Sequence, residues 1–289
     1  MADPKRPTIL ALRTTGPDGR AYHDAARRTG FVWPVGPDAV GQRVEAPDWS
    51  PAERCGGGLH GLSWGEGGAG HLSTDPDAVW QVVEVDASEV VDLGDKIKFR
   101  ACIIRYSGSR AGASEFLWQR APAGTRLARA ALTGGNDSTL TGGDGSTLTG
   151  GDRCTLTGGH QSTLTGGYYS TLTGGNWSTL TGGYYSTLTG GNWSTLTGGN
   201  RCTLTGGDDS TLTGGNRCTL TGGDRCTLTG GARCTLTGGY YSALSWRLWD
   251  GHRYRIHTVY PGEGGIKIGT AYRAIWRDGA AVVEEVERG

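Results

Sequence analysis

Between residues 134 and 245, apolar and polar positions alternate with a period that does not slip. Every eight residues the chain reads Gly-Gly-x-x-(Ser/Cys)-Thr-Leu-Thr, for fourteen consecutive units, and only the last, ending Ser242-Ala243-Leu244-Ser245, degrades it. Within a unit, Ser (or Cys) and Leu fall on one side of an extended segment and the two Thr on the other. Thr is β-branched and favours that extended backbone. Gly-Gly with the x-x pair is expected to make the corner, Gly supplying backbone angles that other residues avoid. Each unit is thus a very short strand and a tight turn. A flat meander would leave the Leu side wet, whereas winding the chain into a solenoid lets two sheets share it as a thin core.

The x-x pair sets the size of the coil. From residue 168 it runs Tyr-Tyr, Asn-Trp, Tyr-Tyr, Asn-Trp, a period of 16 rather than 8. Two octapeptides per coil and about seven coils follow, a rod roughly 34 Å long at about 4.8 Å per coil. A triangular coil of three units is the alternative.

Stacking such coils places the Thr pairs in flat arrays. One face carries Thr139 with Thr141, Thr155 with Thr157, Thr171 with Thr173, Thr187 with Thr189, Thr203 with Thr205, Thr219 with Thr221, and Thr235 with Thr237. The other carries Thr147 with Thr149, Thr163 with Thr165, Thr179 with Thr181, Thr195 with Thr197, Thr211 with Thr213, and Thr227 with Thr229. Side chains lie about 6.6 Å apart within a pair and about 4.8 Å apart between coils. Each Thr offers a hydroxyl and a methyl on a stiff rotamer, so the lattice can hold surface water in order. Thr is also simply a good strand residue, but a merely soluble surface would mix in Lys, Glu and Gln. The array contains no Lys or Glu, and its outward strand positions do not vary before the last unit.

At the corners, Tyr168 and Tyr184 stack on one edge with Tyr169 and Tyr185, and Trp177 and Trp193 on the other. Arg201, Arg217 and Arg233 continue the Tyr edge, while Asp208, Asp209 and Asp224 fall opposite. A row of like charges about 4.8 Å apart is costly unless it meets an anion. Edge-to-edge pairing of two rods, the Arg row of one against the Asp row of the other, with Tyr168, Tyr184, Arg201, Arg217 and Arg233 as assembly residues, is the expectation. Aromatic ladders that only rigidify the turn are an equal alternative.

The residues after the array make the likeness to a family specific. Leu-Ser-Trp-Arg-Leu-Trp-Asp-Gly-His-Arg-Tyr-Arg at 244–255 and Gly-Glu-Gly-Gly-Ile-Lys at 262–267, together with the 16-residue double unit, resemble the repeat and C-terminal cap of bacterial ice nucleation proteins. The resemblance covers residues from about 130 onward. It implies that Thr-x-Thr rows bring water into ice-like order, that Arg-bearing coils near the cap assist fibre assembly, and that the protein acts at the outer cell surface. Three departures stand out: a short array, Thr-Leu-Thr on both faces, and a different N-terminal region.

Bulk properties exclude little else. Lys plus Arg and Asp plus Glu both number 28, so no general attraction to nucleic acid is expected. No apolar run reaches membrane-spanning length, and residues 1–6 do not read as a secretory signal, which by sequence alone points to the cytoplasm. Gly is high at 53, but the repeat's doublets are periodic, so disorder does not follow. Of seven Cys, Cys154, Cys202, Cys218, Cys226 and Cys234 occupy the inward Ser position and are expected to be reduced core residues; an Arg precedes each, for which there is no physical account.

Residues 1–129 read as a small α+β domain with strands at 7–12, 31–35, 80–85 and 96–106, a Gly94-Asp95 turn, and helical turns at 75–78 and 114–120. Cys55-Gly-Gly-Gly-Leu-His60 with residues 90–100 weakly resembles a bacterial and phage domain of unknown function. Cys55, His60 and His71 are the one cluster with chemistry, and their spacing fits no metal or nucleophile template. Residues 246–260 read as a hairpin, with Trp246, Trp249, Tyr254 and Trp276 as a lid over the open core and a strand or short helix at 280–286. The expected protein is mostly β and non-enzymatic: an N-terminal domain (1–129), a solenoid (130–245) and a hairpin cap (246–289). No catalytic residue, cofactor or metal is assigned; the partners are ice or water and further copies of the chain. An antifreeze, or an adhesive rod, is the alternative.

Overall fold

The computed structural model describes residues 7–21 and 31–286; the reading of residues 1–6 lies outside them. The chain divides into two compact units, Met1–Leu132 and Thr133–Gly289.

The described residues of the first unit form one seven-stranded sheet. Its strands are β1 (Thr8–Thr15), β2 (Arg43–Glu45), β3 (Leu59–Ser63), β4 (Val79–Asp86), β5 (Val90–Asp92), β6 (Ile97–Phe99) and β7 (Ala101–Gly108), in the order β2-β7-β4-β1-β3-β6-β5. All pairings are antiparallel, and the long β1–β4 ladder runs from Thr8 opposite Asp86 to Thr15 opposite Val79. Ala11, Val83, Phe99 and Ile104 are fully buried at its centre. Among the described residues one α-helix, α1 (Arg110–Trp118), follows, begun by Ser109, whose hydroxyl accepts from the Gly112 amide. Three expectations need correction. Residues 31–35 form no strand, although Trp33 is buried against the sheet. The strand at 96–106 is two strands broken at Arg100, because residues 97–99 pair with β3 and β5 and residues 101–108 with β2 and β4. The helix starts four residues earlier than the apolar pattern suggested, since its start signal is the Ser109 cap.

The second unit is a solenoid. Strands Thr139–Thr141, Thr155–Thr157, Thr171–Thr173 and their successors to Thr235–Thr237 pair in parallel, each residue opposite its counterpart 16 positions on. Strands Thr147–Thr149 to Thr227–Gly230 do the same in a second sheet. The coil is therefore two octapeptides, with about seven coils, and the triangular alternative is excluded. Leu148, Leu156 and every inward Leu to Leu236 are 0% exposed, each contributing about 1.5–3 kcal/mol of burial. Beside them the inward Ser hydroxyls are fully engaged. Ser194 Oγ donates to the Gly175 carbonyl 3.3 Å away and accepts from the Ser178 amide at 3.3 Å.

The corner corrects the sequence reading of glycine. In the repeat the left-handed residue is the second x, not either Gly of the doublet. Tyr169 (φ 57°), Trp177 (61°), Arg201 (59°) and their equivalents from Asp137 to Tyr241 all sit there; only Gly145 (68°) gives that site a glycine. The doublet is demanded by packing instead. A Cβ on Gly182 would lie 2.7 Å from both Leu188 Cδ1 and Ser186 Cβ, and one on Gly183 would lie 2.8 Å from the Gly167 carbonyl carbon in the coil beneath. The first x adds a ladder of its own. Asn176 Oδ1 accepts from the Asn192 amide, Asn192 from Asp208, Asp208 from Asp224 and Asp224 from Tyr240, at 2.8–3.0 Å.

The cap continues both sheets. Ala243–Trp249 pairs in parallel with the last repeat strand and antiparallel with Tyr254–Val259, giving the expected hairpin. On the other sheet Ala271–Arg277 pairs antiparallel with Thr235–Thr237, and Ala280–Glu285, a strand, closes it. Trp246 is 0% exposed and its indole donates to the Cys234 carbonyl at 3.0 Å. The expected lid is otherwise wrong: Trp249 and Tyr254 are more than half exposed and meet edge to face, Trp276 is half-buried, and Leu248, Tyr272 and Ala274 are buried cap residues. Alternation along Ala243–Trp249 decides this, since Leu244, Trp246 and Leu248 share the inward side.

Two substitutions separate these roles. Gly182→Ala is expected to cost about 1–3 kcal/mol through overpacking. Gln161→Gly, at an exposed left-handed site with φ 55°, is expected to stabilise by about 1 kcal/mol. Denaturant unfolding of the two variants against the parent measures both; equal effects at the two positions would contradict the assignment.

Candidate functional site: two threonine faces

The geometry of the coil divides the polar groups of each unit into two populations. Amides and carbonyls of the strands are consumed by the ladder between coils, and inward Ser and Cys by the Gly carbonyls. The outward Thr hydroxyls have no such use. Among the described residues, the one array hydroxyl bonded within the chain is that of Thr235, which accepts from Arg273 at 3.4 Å. A hydroxyl without a protein partner on an exposed surface is solvated.

Every Thr assigned to the two faces reaches the surface. On the first face Thr139, Thr155, Thr171, Thr173, Thr187, Thr189, Thr203, Thr205, Thr219 and Thr221 are exposed; Thr141, Thr157, Thr235 and Thr237 are half-buried, at the two ends of the rod. On the second face Thr147, Thr149, Thr163, Thr165, Thr179, Thr181, Thr195, Thr197, Thr211, Thr213 and Thr227 are exposed, and Thr229 alone is half-buried. There Thr165 stands opposite Thr181, Thr181 opposite Thr197 and Thr197 opposite Thr213 in successive coils. The in-register ladders carry no bulge or slip between coils, so each Thr stands over its counterpart at about the 4.8 Å strand spacing.

The edges have the expected rows, with different chemistry in each. Trp177 and Trp193 stack with centroids 5.0 Å apart at 5°, and Tyr169 and Tyr185 at 5.1 Å and 8°. Tyr168 and Tyr184 meet edge to face at 6.4 Å. Arg201 crowns the Tyr row: it donates to the Tyr185 hydroxyl, its guanidinium 5.3 Å from that ring. Arg217 and Arg233 have no ion pair among the described residues. The acidic row opposite is already occupied. Asp208 and Asp224 accept backbone amides, and Asp209 forms a two-pronged pair with Arg225 at 2.7 and 2.8 Å. Hydrogen bonding to Arg225 holds the Asp209 carboxyl below its ordinary range. Sequence reasoning missed this because Arg225 lies 16 residues away on the same edge. Asp137 and Arg153 repeat the pair.

The inward Cys are buried and free, as are Cys102 and, on the surface, Cys55. Hydrogen bonding to Cys218 and burial raise the Cys202 thiol, and burial raises Cys226. In the first unit Cys55, His60 and His71 line one cavity, which their spacing did not reveal because they come from a loop, a strand and a short 3-10 turn. His71 Nε2 lies 2.5 Å from Asp95 Oδ2. Among the described residues no group of three or more His, Cys, Asp or Glu is placed to hold a metal, and no helix is long and apolar enough to cross a membrane.

Comparison with known proteins agrees with the array. The chain is 44% identical over 117 residues to an ice nucleation protein of Xanthomonas campestris pv. translucens, covering 39% of this chain and 7% of that protein. It is 32% identical over 115 residues to ice nucleation protein InaU of Pantoea ananas and to an ice nucleation protein of Pseudomonas fluorescens, covering 10% and 9% of those. The chain thus spans a tenth or less of the length of these curated relatives. The resemblance to the ice nucleation family holds over that stretch. No protein-family profile and no solved structure matches the chain, and the likeness of the N-terminal region to a bacterial or phage domain finds no support.

The thiols give a direct check on the inward side. In native protein a thiol-specific disulfide reagent is expected to modify Cys55 alone, and all seven cysteines only after unfolding. Rapid native modification of two or more would show the Ser/Cys row to be open to solvent.

Proposed function

We propose that the second unit is a non-enzymatic ice-binding solenoid that promotes nucleation by ordering water on its Thr-x-Thr faces. The observation that carries this reading is the division of hydroxyls: those inside are bonded to the chain, whereas those outside, Thr235 apart, have no partner among the described residues and repeat without a charged neighbour on the strand. Free hydroxyls and methyls on stiff rotamers, held by in-register ladders, offer liquid water a fixed pattern of partners. The names of the relatives support the same reading.

A single array roughly 34 Å long is small, and this favours two further statements. Rods assemble through the Tyr and Arg edge, where Tyr168, Tyr184, Arg201, Arg217 and Arg233 lie; with Asp208, Asp209 and Asp224 committed within their own rod, the Arg row meets another anion or the Tyr ladder of a neighbour. The second reading is a growth inhibitor that binds existing ice with the same lattice; thermal hysteresis without nucleation would select it.

Replacing Thr171, Thr173, Thr187 and Thr189 by Lys is expected to lower the droplet freezing temperature while leaving the circular dichroism unchanged. Unchanged freezing would refute the water-lattice mechanism. Changing Arg201, Arg217 and Arg233 to Ser is expected to reduce sedimenting assemblies and, with them, nucleation; assembly at the parental level would remove the Arg row from the interface.

A further inference from the structure

The first unit contains a partly open cavity of about 690 Å³, within the range of small-molecule sites. Its walls include Leu12, Leu62 and Leu72, all buried. Arg13 and His60 stand beside them on β1 and β3, which pair at Leu12 opposite Leu62.

Arg13 is 7% exposed. Its guanidinium carbon lies 3.3 Å from the Trp33 ring centroid and Nη1 donates to Gln81 Oε1 at 2.7 Å, but Nε has no partner among the described residues. No carboxylate pairs with it among the described residues. A buried cation without a counter-ion is costly and is seldom kept without a use. Burial brings its pKa down to about 9, which leaves it charged at neutral pH. His60 Nε2 is likewise buried and unpartnered. Burial first, then Lys96, Lys98 and Arg13, lower His60 to about 4, Asp48 opposing, so His60 is neutral at neutral pH; of the two carboxylates that line the cavity, Asp48 and Asp95, the second is paired with His71. Lys98 is spent on the carbonyls of Ala52, Arg54 and Gly56, whereas Lys96, 3.3 Å from Cys55 Sγ, is half-buried at the cavity wall.

Apolar walls, two orphaned buried nitrogens and a buried guanidinium with no carboxylate partner together describe one kind of ligand. We propose that this cavity binds a small organic anion, its charged head at Arg13, His60 and Lys96 and its apolar body against Leu12, Leu62 and Leu72. The site is independent of the ice-binding reading, and neither proposal depends on the other.

Calorimetric titration of the full chain with 2-naphthoate, 2-naphthyl phosphate and neutral 2-naphthol tests it, the two anions distinguishing a carboxylate from a phosphate head. At least one anion is expected to bind with a dissociation constant on the order of 10–100 μM, and 2-naphthol at least about tenfold more weakly. Lys96→Glu, at a partly exposed position that leaves the core intact, is expected to weaken the anion about tenfold without changing the melting temperature. Arg13→Gln should abolish binding in protein that still folds. No binding of either anion at about 1 mM, equal affinity for 2-naphthol, or an unchanged affinity in Lys96→Glu would each overturn the proposal.

Discussion

The solenoid depends on one constraint: every residue must tolerate its own counterpart 16 positions away, directly above it at strand spacing. Strands of three or four residues have too few bonds to persist alone, so each coil is held by its neighbours through the parallel ladder and the shared Leu row. That constraint accounts for the composition of the unit. Ser or Cys fits inside because its side chain is small enough to stack and reaches the Gly carbonyl of the neighbouring coil. The Gly doublet is required because any side chain there would enter Leu and Ser or the coil beneath. Asn and Asp recur at the first corner position because an acceptor there binds the amide of the next coil. Where Tyr or His stands instead, as at Tyr168, Tyr184 and His160, that bond is missing from the ladder.

The same stacking holds thirteen non-glycine residues in the left-handed region at the second corner position. Each carries a cost of about 1–2 kcal/mol, which propagation of the coil offsets. The side chains so displayed are large and exposed. Trp177, Trp193, Tyr169 and Tyr185 gain ring stacking there, and Arg153 and Arg225 gain an ion pair with the Asp one coil below. The edge is therefore a surface on which self-contact between coils decides which residue is favourable.

From this follows the contrast between the two sides of each strand. Inside, no inward Ser or Cys from 146 to 242 is exposed, and their hydrogen bonds stay within the chain. Outside, the Thr rows are left to water. A surface whose hydroxyls were paired with one another, or interrupted by charged side chains, would impose its own order on the interface; this one has spare donors and acceptors at regular intervals. The first unit shows the opposite arrangement: a cavity in which one buried cation, Arg13, has no carboxylate partner among the described residues.

Period and alternation are local properties, and they were legible. The eight-residue unit, the doubling visible in Tyr-Tyr and Asn-Trp, the inward Leu and outward Thr, and the Trp246–Tyr254 hairpin all follow from residue spacing, because strand geometry maps spacing onto sides. What the chain could not reveal was decided by contacts between distant residues. The packing role of the Gly doublet, the capture of Asp209 by Arg225, and the burial of Tyr272 against the last coil each need a neighbouring coil or strand to be defined. So does the meeting of Arg13, His60 and Lys96 around one cavity, since the residues come from two strands and a loop whose neighbourhood in the sheet no periodicity encodes.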